Sequence, residues 1–452
     1  MLNYFSVKNF KSIRDEIALD MRPAPRLRRL PHHVLTFKSE DANNDTKVLR
    51  SAVIYGANAS GKSNIVRALE HAKNFVTGKI RNSSSIKFEP FKLDNSKTED
   101  TEFYIEFSIM GFMAAYGFSH NNKRISHEYL YTLEGGNEQK IFDRKYDEEL
   151  DEYDVSSDYS PKEDEIKKHE EFLMLIRYTE KTKLFVTESF EKRLDDKLHS
   201  DAKIVLLPHY FFRTALSIIF PNSYFGGKFK DINEEEISRS YKDYLNRYDT
   251  GITNICTEDA NLDDLPEGLI SRAREMVEKN DSYSAHYKNK YYSFAFDEDQ
   301  QLIASKIITC RTDDKGERVD FELDEESDGT ARLFDILKPL VASRNEMEIT
   351  YVIDEFDRSL HPNISKDMIN RFLNEADFKN PRQLIVTTHE SNILDNDLLR
   401  RDEIWFVQKE RNLSTSLYSL NDYSTRFDKD IKNAYLKGAF GGIPYLMEDY
   451  KG

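Results

Sequence analysis

Apolar positions set the first reading of the chain. A strand-like pattern opens at Leu2, Tyr4, Phe5 and Val7, and a wholly apolar run follows at Ala52–Tyr55. Strict alternation returns over Thr101–Ser108, with Phe103, Ile105 and Phe107 on one face, and over Met113–Ser119 with Gly111 near the turn. At Gly135-Gly136 the pattern changes to Glu-, Lys-, Asp- and Tyr-rich sequence with helical spacing over Glu163–Tyr178 and Ser189–Lys197. Strands are predicted again at Tyr291–Phe296 and Gln301–Thr309. They are followed by helix Gly329–Ala342, strand Ile349–Ile353, helix Ile364–Ala376 and strands Leu384–Thr388 and Glu403–Gln408. Alternating strands and helices are the mark of an α/β sheet. The economical reading is one α/β domain built from both ends, residues 1–135 and 291–452. Residues 136–290 form a mainly helical insertion, the candidate segment for oligomerisation or partner binding.

Composition narrows the class. The chain has 452 residues, 32% of them charged and 39% hydrophobic, as expected of a water-exposed globular protein. The most apolar stretch, Ile204–Phe220, is broken by Pro208, His209 and Arg213, so it reads as core or interface rather than a membrane span. The immediate strand at the N-terminus predicts that no signal peptide is present. Cys256 and Cys310 have neither metal nor redox spacing and suit a reducing cytoplasm. A net charge of −16 argues against a nucleic-acid-coated surface, although charge totals do not locate individual lysines. The acidic stretch from Asp143 to Glu171 reads as a solvated face or as a docking surface for a basic partner.

Chemistry enters between the apolar run and the helix that follows it. Gly56-Ala57-Asn58-Ala59-Ser60-Gly61-Lys62-Ser63-Asn64 has the spacing of a nucleotide phosphate loop. Its glycines let the backbone wrap round phosphates, with N–H groups converging at a helix start. Lys62 would reach the β- and γ-phosphates of ATP, and the Ser63 hydroxyl would ligate Mg²⁺. Hydrolysis needs a further metal-side carboxylate and a base. Strand Ile349–Ile353 ends in Asp354-Glu355, which provides Asp354 for the metal through water and Glu355 for the attacking water. Strand Leu384–Thr388 ends in His389, placed to donate a hydrogen bond to the γ-phosphate, because parallel strands bring their C-terminal ends to one crevice.

In this order the phosphate loop, Ser327-Asp328-Gly329, Asp354-Glu355 and Thr388-His389 resemble ABC-type ATPases of the SMC, RecF and Rad50 group. Within that group the chain is most similar to ATPases of bacterial anti-phage and abortive-infection systems, the overcoming-lysogenisation-defect (OLD) class and relatives that pair with separate nucleases. Asn9-Phe10-Lys11-Ser12-Ile13, Ser359-Leu360-His361-Pro362 and the tail stretches Asp402–Val407 and Tyr435–Gly438 add to the likeness. The resemblance implies a P-loop NTPase fold of ABC type, with a mixed sheet flanked by helices. It also implies an ATP-sandwiched homodimer in which Ser327 and Gly329 close the partner's nucleotide, and a phosphate contact from Lys11. The signature is short, and Phe88-Glu89-Pro90-Phe91 stands roughly where the group carries a glutamine loop.

The residues after His389 are too few for a TOPRIM nuclease domain, and none of the eleven histidines is arranged as in an HNH site, so an effector nuclease would be a separate partner. A RecF-like DNA clamp is the alternative, with Arg26-Leu27-Arg28-Arg29 and Arg400-Arg401 as candidate basic pieces. A transporter subunit fits less well, given the insertion and the tail.

Overall fold

The computed structural model describes residues 1–37, 45–79, 86–134, 137–158, 163, 165–194, 204–221, 232, 235–280, 282–288, 290–341, 348–375, 381–423 and 430–443. The chain divides into two compact units. One holds Met1–Ile218, Met347–Asp354 and Asn380–Gly452, and the other Ile219–Glu346 and Glu355–Lys379.

Two sheets organise the first unit. Its six-stranded sheet has the order Leu216–Ile219, Ile349–Ile353, Arg382–Thr388, Ser51–Gly56, Ile404–Lys409, Thr415–Ser419. Four neighbours in that order, from Ile349–Ile353 to Ile404–Lys409, are parallel, and the tail strand Thr415–Ser419 closes one edge antiparallel. The central strands are buried along their whole length, at every residue of Ser51–Gly56 and of Arg382–Thr388, as strands covered on both faces are, and their middles are apolar. This is the mixed-sheet P-loop NTPase fold expected from the sequence.

The second sheet has seven strands and is antiparallel throughout, in the order Glu152–Ser156, Asn137–Asp147, Ile125–Glu134, Phe112–His120, Thr101–Ile109, Leu2–Lys8, Ile17–Asp20. Phe103, Ile105 and Phe107 face the core as their alternation requires, opposite Val7, Phe5 and Leu2. The expected boundary at residue 135 falls inside this sheet. Gly135-Gly136 itself lies outside the described residues, but pairing runs from His127↔Lys145 to Glu134↔Asn137 on either side of it. Helices account for most of the regular structure that follows, beginning with Ile166–Arg177 and Phe185–Glu191, yet strands 137–147 and 152–156 belong to the first unit. Ile204–Phe220 is core rather than an open partner surface, since Val205, Phe211, Phe212 and Leu216 are all buried and Phe211 stacks on Phe107 at 4.7 Å.

In the second unit, strands Asn254–Ala260, Leu302–Thr312, Lys290–Phe296 and Tyr283–Tyr287 form an antiparallel sheet, with Arg318–Glu322 also paired to Leu302–Thr312. Helix Glu267–Asn280 supplies Ala273 and Val277 to a cluster with Phe294 and Leu302. Helix Glu235–Arg247 is tied to helix Pro362–Asn370 by a two-pronged Arg247–Asp367 pair at 2.9 and 2.8 Å. The expected helices Gly329–Ala342 and Ile364–Ala376 appear as Asp328–Ile336 with Lys338–Val341, and as Pro362–Asn370 widening into a π-turn at Arg371–Glu375. Their expected last residues, Ala342 and Ala376, lie outside the described residues.

Candidate nucleotide site

The sheet edge at which parallel strands end carries the site. Val53 pairs with Val386, and Val386 with Ile353, so Gly56, Asp354 and His389 leave their strands at one end of the sheet. Between strand Ser51–Gly56 and helix Lys62–Val76 the backbone bends through positive φ at Ala59 (60°) and Gly61 (113°). A left-handed alanine is costly and persists only where surroundings fix it, a feature of functional loops. The glycines are required by space as well. A Cβ on Gly56 would lie 2.6 Å from the Val407 carbonyl oxygen, and one on Gly61 would lie 2.0 Å from Thr415 Oγ1.

Lys62 is buried, and its ammonium donates to the Gly56 and Ala57 carbonyls at 2.7 and 3.2 Å, so it bridges the loop it would serve. Asn58 and Ala59 are exposed at the loop tip, Ala57, Ser63 and Asn64 are half-buried, and Ser60 is buried with no hydrogen-bond partner for its Oγ among the described residues. Asp354 is buried and accepts a 2.6 Å hydrogen bond from Thr387 on the next strand, which fixes the orientation of its carboxylate at the strand end. His389 is exposed just beyond its strand. Lys11, expected at a phosphate, is instead paired with Glu89 at 2.7 Å, and its N–H bonds the Glu89 carbonyl at 2.7 Å. The segment standing in for the glutamine loop therefore holds the candidate basic residue.

The second unit carries the remaining candidates. Glu355 has φ 48°, an unfavourable conformation for a non-glycine residue, and its side chain is 41% exposed. Arg332, on helix Asp328–Ile336, donates to the Glu355 carbonyl at 3.4 Å and to the Phe220 carbonyl at 3.0 Å, supporting that strained turn. Ser327 is the N-cap of this helix, accepting from the Thr330 N–H at 3.2 Å while remaining exposed. Gly329 packs so closely that a Cβ would sit 2.7 Å from the Ser359 carbonyl oxygen. Glu326 just before the cap is held by Arg311 at 2.6 and 2.7 Å; burial alone would raise its pKa, but bonds from Arg311 and Thr309 bring it below the usual value.

Thr387, Thr415 and Arg332 act in this arrangement without having been picked out in the sequence. Thr387 was legible in principle, as the residue two before a strand-end histidine. Thr415 carries no local signal.

Of the candidate basic pieces, Arg29, Arg400 and Arg401 are engaged within the chain, whereas Arg26 and Arg28 are exposed. Arg400 is buried, pairs with Asp402 at 2.9 and 2.7 Å and donates to the Arg29 carbonyl. Arg401 donates to the Tyr423 carbonyl at 2.8 Å, and Arg29 pairs with Asp397. Part of the acidic stretch is likewise satisfied internally, Asp143 by His127 at 2.9 Å and Asp151 by Lys181 at 2.8 Å. Among the described residues no helix is long and apolar enough to cross a membrane.

A glycine loop between a buried strand and a helix, with a buried carboxylate ending a parallel strand at the same edge, defines a P-loop NTPase site. The chain belongs to the family described as "AAA domain, putative AbiEii toxin, Type IV TA system", which matches residues 51–395. No curated protein matches it. Among solved structures it is similar to the SMC head domain from Thermotoga maritima, at 13% identity over 92% of this chain and 98% of that one, with a TM-score of 0.36. An SmcHead bound to the C-winged helix domain of ScpA is similar at 14% identity over 92% and 97%, with a TM-score of 0.38.

Proposed function

We propose that the chain is an ABC-type ATPase that binds ATP with Mg²⁺, hydrolyses it slowly and closes on it as a homodimer. In that state it would hold or release a separate effector, a nuclease of TOPRIM or HNH type, in cytoplasmic anti-phage defence. The observation that carries the ATPase reading is the buried Asp354–Thr387 pair at the strand ends shared with the Gly56–Ser63 loop.

The residues fit the groups they would hold. Lys62 faces the loop's own carbonyls and is placed to exchange those bonds for phosphate oxygens. Ser63 and, through water, Asp354 would hold Mg²⁺, which would neutralise charge on the β- and γ-phosphates. Glu355 accepts the proton of the attacking water, and His389 donates a hydrogen bond to a γ-phosphate oxygen. Ser327 and Gly329 present a hydroxyl and free N–H groups at a helix start, the chemistry that a second copy's γ-phosphate needs. Family membership and the short, exposed signature cap support an assembly switch more than a fast enzyme. The alternative, a RecF-like DNA clamp, loses support because Arg400 and Arg401 are spent inside the fold.

Tagged Glu355→Gln purified from the native host in ATP–Mg²⁺, followed by mass spectrometry, tests the defence reading. A stoichiometric nuclease or toxin-like protein is the expected companion. Nucleic acid without a protein partner would overturn it in favour of the clamp.

A further inference from the structure

The phosphate loop is bonded to two segments remote from it in sequence, the turn after the first strand and the tail strand Thr415–Ser419. Thr415 Oγ1 donates to the Ser60 carbonyl at 3.0 Å. It also lies 2.8 Å from Ser12 Oγ, and Asn64 Nδ2 donates to that same Ser12 oxygen at 2.7 Å. Each hydroxyl has a single proton, so the direction of the chain is fixed. Asn64 donates to Ser12, Ser12 donates to Thr415, and Thr415 donates to the loop carbonyl. Backbone contact reinforces it, since the Thr415 N–H bonds the Ser12 carbonyl at 2.8 Å. Thr415 is buried, so its bond to the Ser60 carbonyl forms away from competing water, while the bonds at Ser12 are half-buried.

The consequence lies in the Ser60–Gly61 peptide. In a trans peptide the carbonyl and the following N–H point in opposite directions. Anchoring the Ser60 oxygen on Thr415 therefore turns the Gly61 N–H away from the tail strand. Gly61 is also the position where a Cβ would collide with Thr415 at 2.0 Å, so the strand presses against the loop just where its backbone is left-handed. Lys11, adjacent to Ser12 and also at positive φ (52°), is bonded to Glu89, so the Ser12 turn is anchored at both ends.

We infer that Thr415, with Ser12 as its relay, is a positioning residue of the nucleotide site, aiming the Gly61 amide at the triphosphate without touching it. This rests on the loop being the ATP site. The function of the tail strand is then to preset the loop, and the ligand it serves is a nucleoside triphosphate with Mg²⁺.

The test uses the full chain and titrates a fluorescent ATP analogue with Mg²⁺ against wild type, Thr415→Val, Thr415→Ser and Ser419→Ala. Valine keeps the branched shape and loses the hydroxyl; serine keeps the hydroxyl. Ser419 caps the far end of the same strand, so its alanine variant weakens the tail without reaching the loop. The expected result is roughly tenfold weaker binding for Thr415→Val, the size of one lost buried hydrogen bond plus its orphaned carbonyl. Thr415→Ser should restore affinity to within about threefold, and Ser419→Ala should bind as wild type. Amide exchange at Gly61 should accelerate in Thr415→Val alone. Equal affinity and exchange in wild type and Thr415→Val would overturn the inference while leaving the ATP site standing. Loss of affinity in Ser419→Ala matching that in Thr415→Val would reduce the effect to tail stability and overturn it too. Failure of wild type to bind the analogue would instead overturn the ATP reading itself.

Discussion

The loop edge and the signature segment are built in opposite ways. At the loop edge Lys62, Asp354 and Thr415 are buried, and each is fixed by a hydrogen bond inside the unit. At the signature, Ser327 is exposed, its side chain bonded only locally to the Thr330 N–H and hydroxyl among the described residues, and Asp328 beside it is exposed as well. A buried polar group must be satisfied at home, because an orphan costs about 1–3 kcal/mol. An exposed cap gains little from its own chain and is left available for a ligand. The loop edge is thus prebuilt, whereas the signature cap, on the proposed reading, is completed only by a second copy's nucleotide.

Substitutions can break either half. The largest effect is expected from Lys62→Ala, which removes the only side-chain charge of the loop; ATP affinity measured by calorimetry should fall by roughly a thousandfold. Next, Glu355→Gln should keep ATP binding and slow phosphate release by about a hundredfold or more, the usual worth of a positioned base. Hydrolysis at the wild-type rate would remove Glu355 from its role. Ser327→Arg attacks the other half: it should weaken ATP-dependent association by about tenfold in sedimentation, with a smaller change in ATP affinity. Equal losses of affinity and association would erase the contrast between the halves.

How much of this could be read from sequence follows the same division. The loop, the acidic strand and the histidine strand are contiguous stretches whose apolar runs and terminal residues report a parallel strand and its end. They appear where expected. The Thr415–Ser12 relay could not be read, since it joins positions 12, 60, 64 and 415 through tertiary contact alone. The strand at 125–134 lies in a region read as strands without being delimited, and those at 137–147 and 152–156 read as part of a helical insertion, for another reason. Their buried face carries Glu128, Thr132 and Arg144 while Tyr129 and Tyr131 lie on the outer one, which masks the apolar-in, polar-out period. Lys11 was placed by family likeness, and only geometry shows its ammonium committed to Glu89. Arg400 likewise read as surface charge, until Asp402 and the Arg29 carbonyl claimed it.

The smallest effect concerns how the loop helix is backed. His71 on helix Lys62–Val76 meets His120 across a 3.3 Å Nε2–Nε2 contact among Phe10, Phe75, Phe103 and Phe118. His120 Nδ1 faces the Asn121 carbonyl at 3.3 Å, so its Nε2 accepts and His71 Nε2 donates. Burial lowers both, to about 3 and about 4. The unfolded chain takes up these protons near pH 6.5 and the folded chain does not. Stability is therefore full above pH 6.5 and declines as pH falls from there toward 4. Thermal melts across that window should show the decline in wild type and a shallower one in His71→Gln. Parallel slopes would remove the pair as its source.

The most direct test of ATP-gated closure is the mass of Glu355→Gln by sedimentation, with and without ATP–Mg²⁺. A dimer that forms only with ATP, and not when Lys62→Ala is added, is the expected result. A mass that is the same with and without nucleotide, in a protein shown to bind it, would contradict the account.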